Sequence, residues 1–184
     1  MNDGEPFKLR VLRALTDAIK DVTPANGYGF DLSDFDPGDG AMMERVFRGR
    51  PWFGDSDPIP MVSVLEPVEE ADYLFTVPSD DASGSYEWPL LVQGFVNDDP
   101  VHPTDPAYRL MRDVRRRLVR EKKRRKPGMN TTDPLGTSQF GLPGCRVTDL
   151  RVSTGKVRPA DDVSAKAYFW MVVTLTVTED AEEA

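Results

Sequence analysis

Apolar positions recur along this chain in two rhythms, and the rhythms place its elements. Phe7, Val11, Leu15, Ala18, Ile19 and Val22 return every three or four residues, so they share one face of a helix over about 5–22. Lys8, Arg10, Arg13, Asp17 and Lys20 fall opposite, and Thr23-Pro24 ends the helix because a residue preceding proline is pushed out of the helical region. A second helix starts near Thr104-Asp105-Pro106, where a capping residue is followed by proline in the first turn. Its apolar stripe is Ala107, Leu110, Met111, Val114 and Leu118. Beyond Val119 only charge continues, from Arg120 to Lys126, and the helix is expected to outrun the core before Pro127-Gly128 breaks it.

The second rhythm has period two. Phe169, Met171, Val173, Leu175 and Val177 alternate with Tyr168, Trp170, Val172, Thr174 and Thr176, which predicts a strand over 165–178 with one wholly apolar face. Strand composition also marks 42–48, 60–66, 86–97 (with Leu90, Val92, Gly94 and Val96 on one side) and 145–157. Between these elements lie stretches rich in Gly, Asp, Ser, Thr and Pro, read as mobile loops near 26–40, 66–85 and 127–144, with a frayed acidic tail at 179–184. The element order is α-β-β-β-α-β-β. Two helices are too few to cover both faces of a doubly wound sheet, so the expected fold is α+β: two layers, a mixed or antiparallel sheet with both helices on one face. A length of 184 residues fits one domain.

Charge sharpens this picture. The net charge is −8, yet residues 109–126 hold eleven Lys or Arg against Asp113 and Glu121, a local +9 that leaves −17 for the rest. An acidic body with one basic arm points to a contact role. No apolar run approaches bilayer length and the N-terminus lacks a signal-peptide pattern, so a soluble protein made in a cytoplasm and free of membrane contact is expected.

Catalytic equipment is sparse. Cys145 and His102 are each the single residue of their type, which removes a disulfide framework and a Cys-rich metal site and lowers the expectation of an enzyme. Asp31, Asp34, Asp36 and Asp39 invite a calcium reading, but counting from Asp34 the fifth position is Gly38, the sixth Asp39 and the twelfth Arg45, where a bidentate Glu is required. His102 has Asp98, Asp99 and Asp105 nearby but no nucleophile motif, and reads as a surface histidine leading into the second helix. Gly27-Tyr28-Gly29 and Gly38-Asp39-Gly40 lack a phosphate loop's strand-to-helix setting. No cofactor, metal or catalytic residue is expected.

The candidate interface residues are therefore Arg115, Arg116, Arg120, Lys122, Lys123, Arg124 and Arg125 on the basic run, and Arg48, Arg50, Trp52 and Phe53 around an aromatic pair beside Pro51 and Gly54. The basic run reads as phosphate-backbone contact, as docking on an acidic protein, or as a solvated helix end. No aromatic residue interleaves it, which argues against stacking on single-stranded nucleic acid.

Several stretches, taken in order, resemble the tail terminator (tail completion) family of long-tailed bacteriophages with non-contractile tails. They are the amphipathic N-terminal helix, Val46-Phe47-Arg48-Gly49-Arg50 with Phe53-Gly54 and Asp57-Pro58, then Pro60-Met61-Val62-Ser63-Val64-Leu65-Glu66. Trp88-Pro89-Leu90-Leu91-Val92-Gln93-Gly94 follows, then His102-Pro103-Thr104-Asp105-Pro106-Ala107-Tyr108, then Arg158-Pro159-Ala160-Asp161-Asp162 before the last strand. The resemblance implies a virion structural protein of the tail or neck, assembled in the host cytoplasm. It implies a homohexameric ring on the finished tail tube that stops tube polymerisation and offers the head connector (head-completion protein) a docking surface, with genomic DNA passing through the ring. Partners would then be further copies of itself, the tube protein and the connector, with no catalytic residue or cofactor. The dense basic run and the insertion at 129–144 go beyond the family's pattern. The alternatives are a head-to-tail connector or neck ring subunit and, more distantly, a nucleic-acid-binding module using the basic helix 109–126.

Overall fold

The computed structural model describes residues 4–54, 56–67, 83–162 and 164–180. Its elements are α1 (Phe7–Lys20), β1 (Val46–Arg48), β2 (Met61–Leu65), β3 (Ser83–Val96), α2 (Asp105–Lys122), β4 (Arg146–Val152), β5 (Lys156–Arg158) and β6 (Ala167–Asp180), with short 3-10 turns at Pro24–Asn26 and Pro134–Gln139. The strands form one sheet in the order β1-β2-β3-β6-β4, with β5 also paired to β6. Only β1 and β2 run parallel; every other pair is antiparallel. This is the α+β, two-layer arrangement that the element order predicts.

The β3–β6 pair is the spine, in register from Ser83 opposite Asp180 to Val96 opposite Ala167. Alternation along β6 sends Ala167, Phe169, Met171, Val173, Leu175 and Val177 into the core, each at most 1% exposed. They meet Trp88, Leu90 and Val92 of β3, the α1 residues Phe7, Val11, Leu15 and Ile19, and the α2 residues Leu110, Val114 and Leu118. Burying such side chains is worth about 1.5–3 kcal/mol each, which makes this face the main source of stability. Pro89 sits inside β3 without breaking the sheet. It lies beyond Leu91, where pairing with β2 stops, so its missing N–H deprives no neighbour on that side. In β4 the register shifts between Val147 and Asp149, and the extra residue lets Val147 and Leu150, three apart, both face inward.

Several boundaries differ from the sequence reading. The expected strand over 145–157 is two strands, because the chain turns at Ser153, Thr154 and Gly155. Gly155 has φ +75, and a Cβ there would stand 3.0 Å from the Trp170 carbonyl oxygen and 2.6 Å from the Met111 sulfur. The first strand is Val46–Arg48 rather than 42–48; upstream, Met43 only bridges to Phe35. The basic segment is not one helix to Lys126. α2 ends at Lys122, and Arg125 instead bridges to Thr132, with Asp133 N–H donating to the Arg124 carbonyl at 2.8 Å. The physical reason lies downstream, in the stretch expected to be a mobile loop at 127–144. There Pro134, Leu135, Gly136 and Thr137 are buried, so the chain folds back to cover the ends of the helices instead of letting α2 project. The loop 26–40 is likewise pinned by buried Leu32, whose N–H donates to Val22 O at 2.8 Å. Of the expected loop 66–85, Ser83, Gly84 and Ser85 belong to β3 and 68–82 lie outside the described residues; of the tail, Glu179 and Asp180 extend β6 and 181–184 lie outside.

Candidate assembly interface

α2 carries two kinds of side chain on its solvent side, and they divide the basic run. One set is spent within the chain. Arg117 bridges Asp21 at 2.8 Å and the buried Glu121 at 2.6 Å, and burial weighed against these two carboxylates leaves its guanidinium pKa raised. Lys122 pairs with Asp149 at 3.0 Å, Arg124 reaches Glu121 at 3.5 Å, and Arg125 bonds Asn130. These contacts hold α2 against α1, β4 and its own returning chain. Lys122, Arg124 and Arg125 are thus fixed to the chain's own groups.

The second set lines a groove of about 630 Å³ between the outer face of α2 and the Thr154 turn. Tyr108, Met111 and Val119 give it apolar surface, and Arg112, Arg115, Arg116, Arg120 and Lys123 border it with cations. Arg116 and Arg120 are held in place by Tyr28: their guanidiniums lie 5.4 and 5.1 Å from its ring centroid, and Arg120 donates to the Tyr28 hydroxyl at 2.8 Å. Arg112 chelates Asp113, which is fully buried and also accepts the Gly29 N–H at 2.7 Å. That contact fastens the 28–29 segment to α2 and so builds one wall of the cationic surface. Arg115 and Lys123 are exposed and form no ion pair or side-chain hydrogen bond among the described residues.

The sequence-derived residues Arg48, Arg50, Trp52 and Phe53 lie elsewhere, at the β1–β2 crossover. Arg48 donates to Thr16 Oγ1 at 2.8 Å, and Arg50 pairs with Asp57 at 2.9 Å while its guanidinium covers the Phe47 ring at 4.5 Å. The aromatic pair splits. Phe53 packs edge-on against Phe95 with centroids 5.1 Å apart, whereas Trp52 is 59% exposed. Arg48 thus reaches α1, whereas residues 51–53 lie on the sheet face away from the helices, where Gln93 donates to the Pro51 carbonyl at 2.6 Å. An aromatic row continues across that face, with Phe95 stacked on Tyr168 and Tyr168 on Trp170.

The acidic loop is also ordered by its own bonds. Phe35 and Met43 exchange two backbone hydrogen bonds of 3.0 and 2.8 Å, which close the base of a finger over 35–43. Within it the Asp36 carboxylate accepts Gly38 and Gly40 N–H at 2.7 and 3.1 Å, and Asp39 accepts Ala41 N–H at 2.9 Å. Those two backbone donors hold the Asp36 carboxyl below the usual range, and the Ser33 hydroxyl and N–H do the same for Asp31. Asp34 instead pairs with Lys20 at 2.9 Å. The carboxylates thus serve turns and an ion pair, and among the described residues no three His, Cys, Asp or Glu side chains converge as metal ligands. His102 is exposed; its backbone N–H, with that of Val101, caps Asp99 and holds that carboxyl low.

Sequence reasoning missed Tyr108, Met111, Arg112 and Val119 as groove residues, and Tyr28 as a platform. The signal was present: Tyr108, Arg112, Arg115, Val119 and Lys123 succeed one another at intervals of four, three, four and four, one stripe of a helix. Among the described residues no helix is long and apolar enough to cross a membrane. No protein-family model matches the chain, and no curated protein is detectably similar to it in sequence.

Proposed function

We propose that this protein is a virion structural subunit, the tail terminator of a long-tailed phage, which closes into a ring on the finished tail tube, stops its growth and receives the head connector. The observation that carries the reading is the segregation of charge on one small body. A cation-rimmed groove, in which the Arg115 and Lys123 side chains are unpaired among the described residues, occupies α2, while the 35–43 loop forms a self-braced acidic finger. Opposite-signed, preorganised surfaces on one chain suit head-to-tail contact between identical subunits, and such contacts close into rings when the rotation permits. The exposed Trp52 and the aromatic row of the open sheet face add a second surface, suited to a different partner such as the tube or the connector. The ordered resemblance from the N-terminal helix to the last strand supports the specific reading.

The nucleic-acid reading loses ground on geometry. Arg117, Lys122, Arg124 and Arg125 are engaged by groups of the chain itself, so the basic run presents fewer free cations than its composition suggests.

Tube subunits polymerised with and without the protein test the proposal. The expected result is that added protein arrests elongation and appears as a collar at one tube end. Unchanged elongation with no end-bound density would refute it.

A further inference from the structure

We infer that the α2 groove is the receptor for the acidic finger of a second copy of this chain, and that this pairing is the ring contact. The inference deepens the terminator reading and rests on it for self-association. It stands on a match in chemistry between two surfaces that the chain leaves open.

The groove combines an apolar floor, Tyr108, Met111 and Val119, with a cationic rim in which Arg115 and Lys123 lack partners among the described residues. Tyr108 is 54% exposed and carries the floor out to solvent. The finger offers the complement. Asp36 and Asp39 are exposed, and Met42 beside them is 64% exposed, an apolar knob flanked by carboxylates. The finger is stiffened before binding by the Phe35–Met43 bridge and the Asp36 turn, and Arg45 packs over the Phe35 ring at 4.1 Å, so docking costs little ordering entropy. Within one chain no hydrogen bond or ion pair joins finger to groove among the described residues. The finger is instead anchored to the end of α1, where Lys20 bridges Asp34 and Glu44 at 2.9 Å each. Met42 and the outer part of the groove floor at Tyr108 are therefore left open among the described residues, while Met111 beneath is part of the core.

A second copy fits better than duplex DNA on two grounds. Outside 109–126 the chain carries −17, so another copy presents an acidic surface, whereas that same acidic body repels a long polyanion. The Tyr108-Met111-Val119 floor also has no counterpart in a phosphate backbone, but it seats a methionine. Because groove and finger are different surfaces, the contact is heterologous and repeats from subunit to subunit.

Sedimentation velocity of the full chain at low and high salt, for wild type and variants, decides the matter. The Arg115 and Lys123 side chains bond to nothing among the described residues and Met42 is exposed, so R115E/K123E and M42E leave the fold intact. Wild type is expected to associate more tightly at low salt, and R115E/K123E to weaken association about tenfold, roughly the sum of two lost charge pairs and their replacement by repulsion. M42E should weaken it independently by placing a charge on the apolar floor. Adding D39K to R115E/K123E should restore part of the loss, because the reversed charges again complement each other. Wild-type association by both R115E/K123E and M42E would overturn the inference. If those variants still form rings that cap tubes, the terminator reading survives and the contact lies on another face. Wild-type chain that stays monomeric with and without tubes would sink both. Duplex binding lost in R115E/K123E, with self-association unchanged, would overturn it and assign the groove to DNA.

Discussion

Gly94 of β3 lies directly across from Phe169 of β6, and the Phe169 ring occupies the space that any side chain at Gly94 would need. A Cβ built on Gly94 would stand 2.8 Å from the ring's Cζ, closer than real carbon atoms approach. The core-facing aromatic of β6 thus depends on the absence of one methyl group. Gly94→Ala is expected to lower stability by about 1–3 kcal/mol through overpacking. Urea denaturation measures this, and Phe169→Leu in the Gly94→Ala background should cost less than Phe169→Leu alone, because it also relieves the clash. Strictly additive losses would contradict the packing argument.

Leu135 tests whether the stretch after α2 is loop or core. It is 4% exposed and held at φ +62, packed in the 3-10 turn that closes over the helices. Leu135→Ala should therefore cost about 2–4 kcal/mol, the range of a truncated core leucine. A change within about 0.5 kcal/mol, as at an exposed loop position, would count against the structure there.

Trp52 and Phe53 are adjacent in sequence but differ in role. Phe53→Ala removes an edge-on partner of Phe95 and should lower the thermal midpoint measurably. Trp52→Ala should leave the midpoint unchanged while weakening attachment to tube or connector, read by co-sedimentation with each. Equal thermal losses from both substitutions would show that Trp52 is packed rather than presented.

Acid stability follows from the finger and its neighbour. The Asp31 and Asp36 carboxyls are held below their ordinary range by the Ser33 hydroxyl and N–H and by the Gly38 and Gly40 N–H groups, respectively. A depressed folded pKa contributes stability that is complete above the unfolded value of about 3.9 and is lost as pH falls through the folded value. Denaturation midpoints should thus be insensitive to these groups near neutrality and fall below about pH 4. The Asp31→Asn/Asp36→Asn variant should show a shallower fall over that window. Parallel acid limbs for the two proteins would remove these carboxyls from the account.

The two periodicities made the frame legible: the stripe from Phe7 to Val22 and the alternation from Phe169 to Val177 are strong because burial on one face leaves a repeating mark. The breaks were harder to read. Gly155 splits β4 from β5 because its positive φ lets the chain pass tightly over Met111, and one glycine in a Ser-Thr-Gly stretch does not announce that contact. Composition misjudged 127–144, since its few apolar residues, Met129, Leu135, Phe140 and Leu142, show no periodicity, and the burial of Leu135 depends on where the helix ends, a tertiary matter. The basic run was visible as charge. Its division into Glu121- and Asp149-bound residues and groove-lining residues needed the helix's orientation and its partners from distant segments. The finger's carboxylates suggested a ligand site by type, but their geometry serves Asx turns.

The central claim is assembly on a tail tube, and mass measurement of the full chain in the presence and absence of purified tubes tests it most directly. The account predicts a closed oligomer, forming on tubes and fixed in number per tube end, whose formation shifts to about tenfold higher concentration when Arg115 and Lys123 are both changed to Glu. A chain that remains monomeric at high concentration and leaves the mass of the tubes unchanged would contradict it.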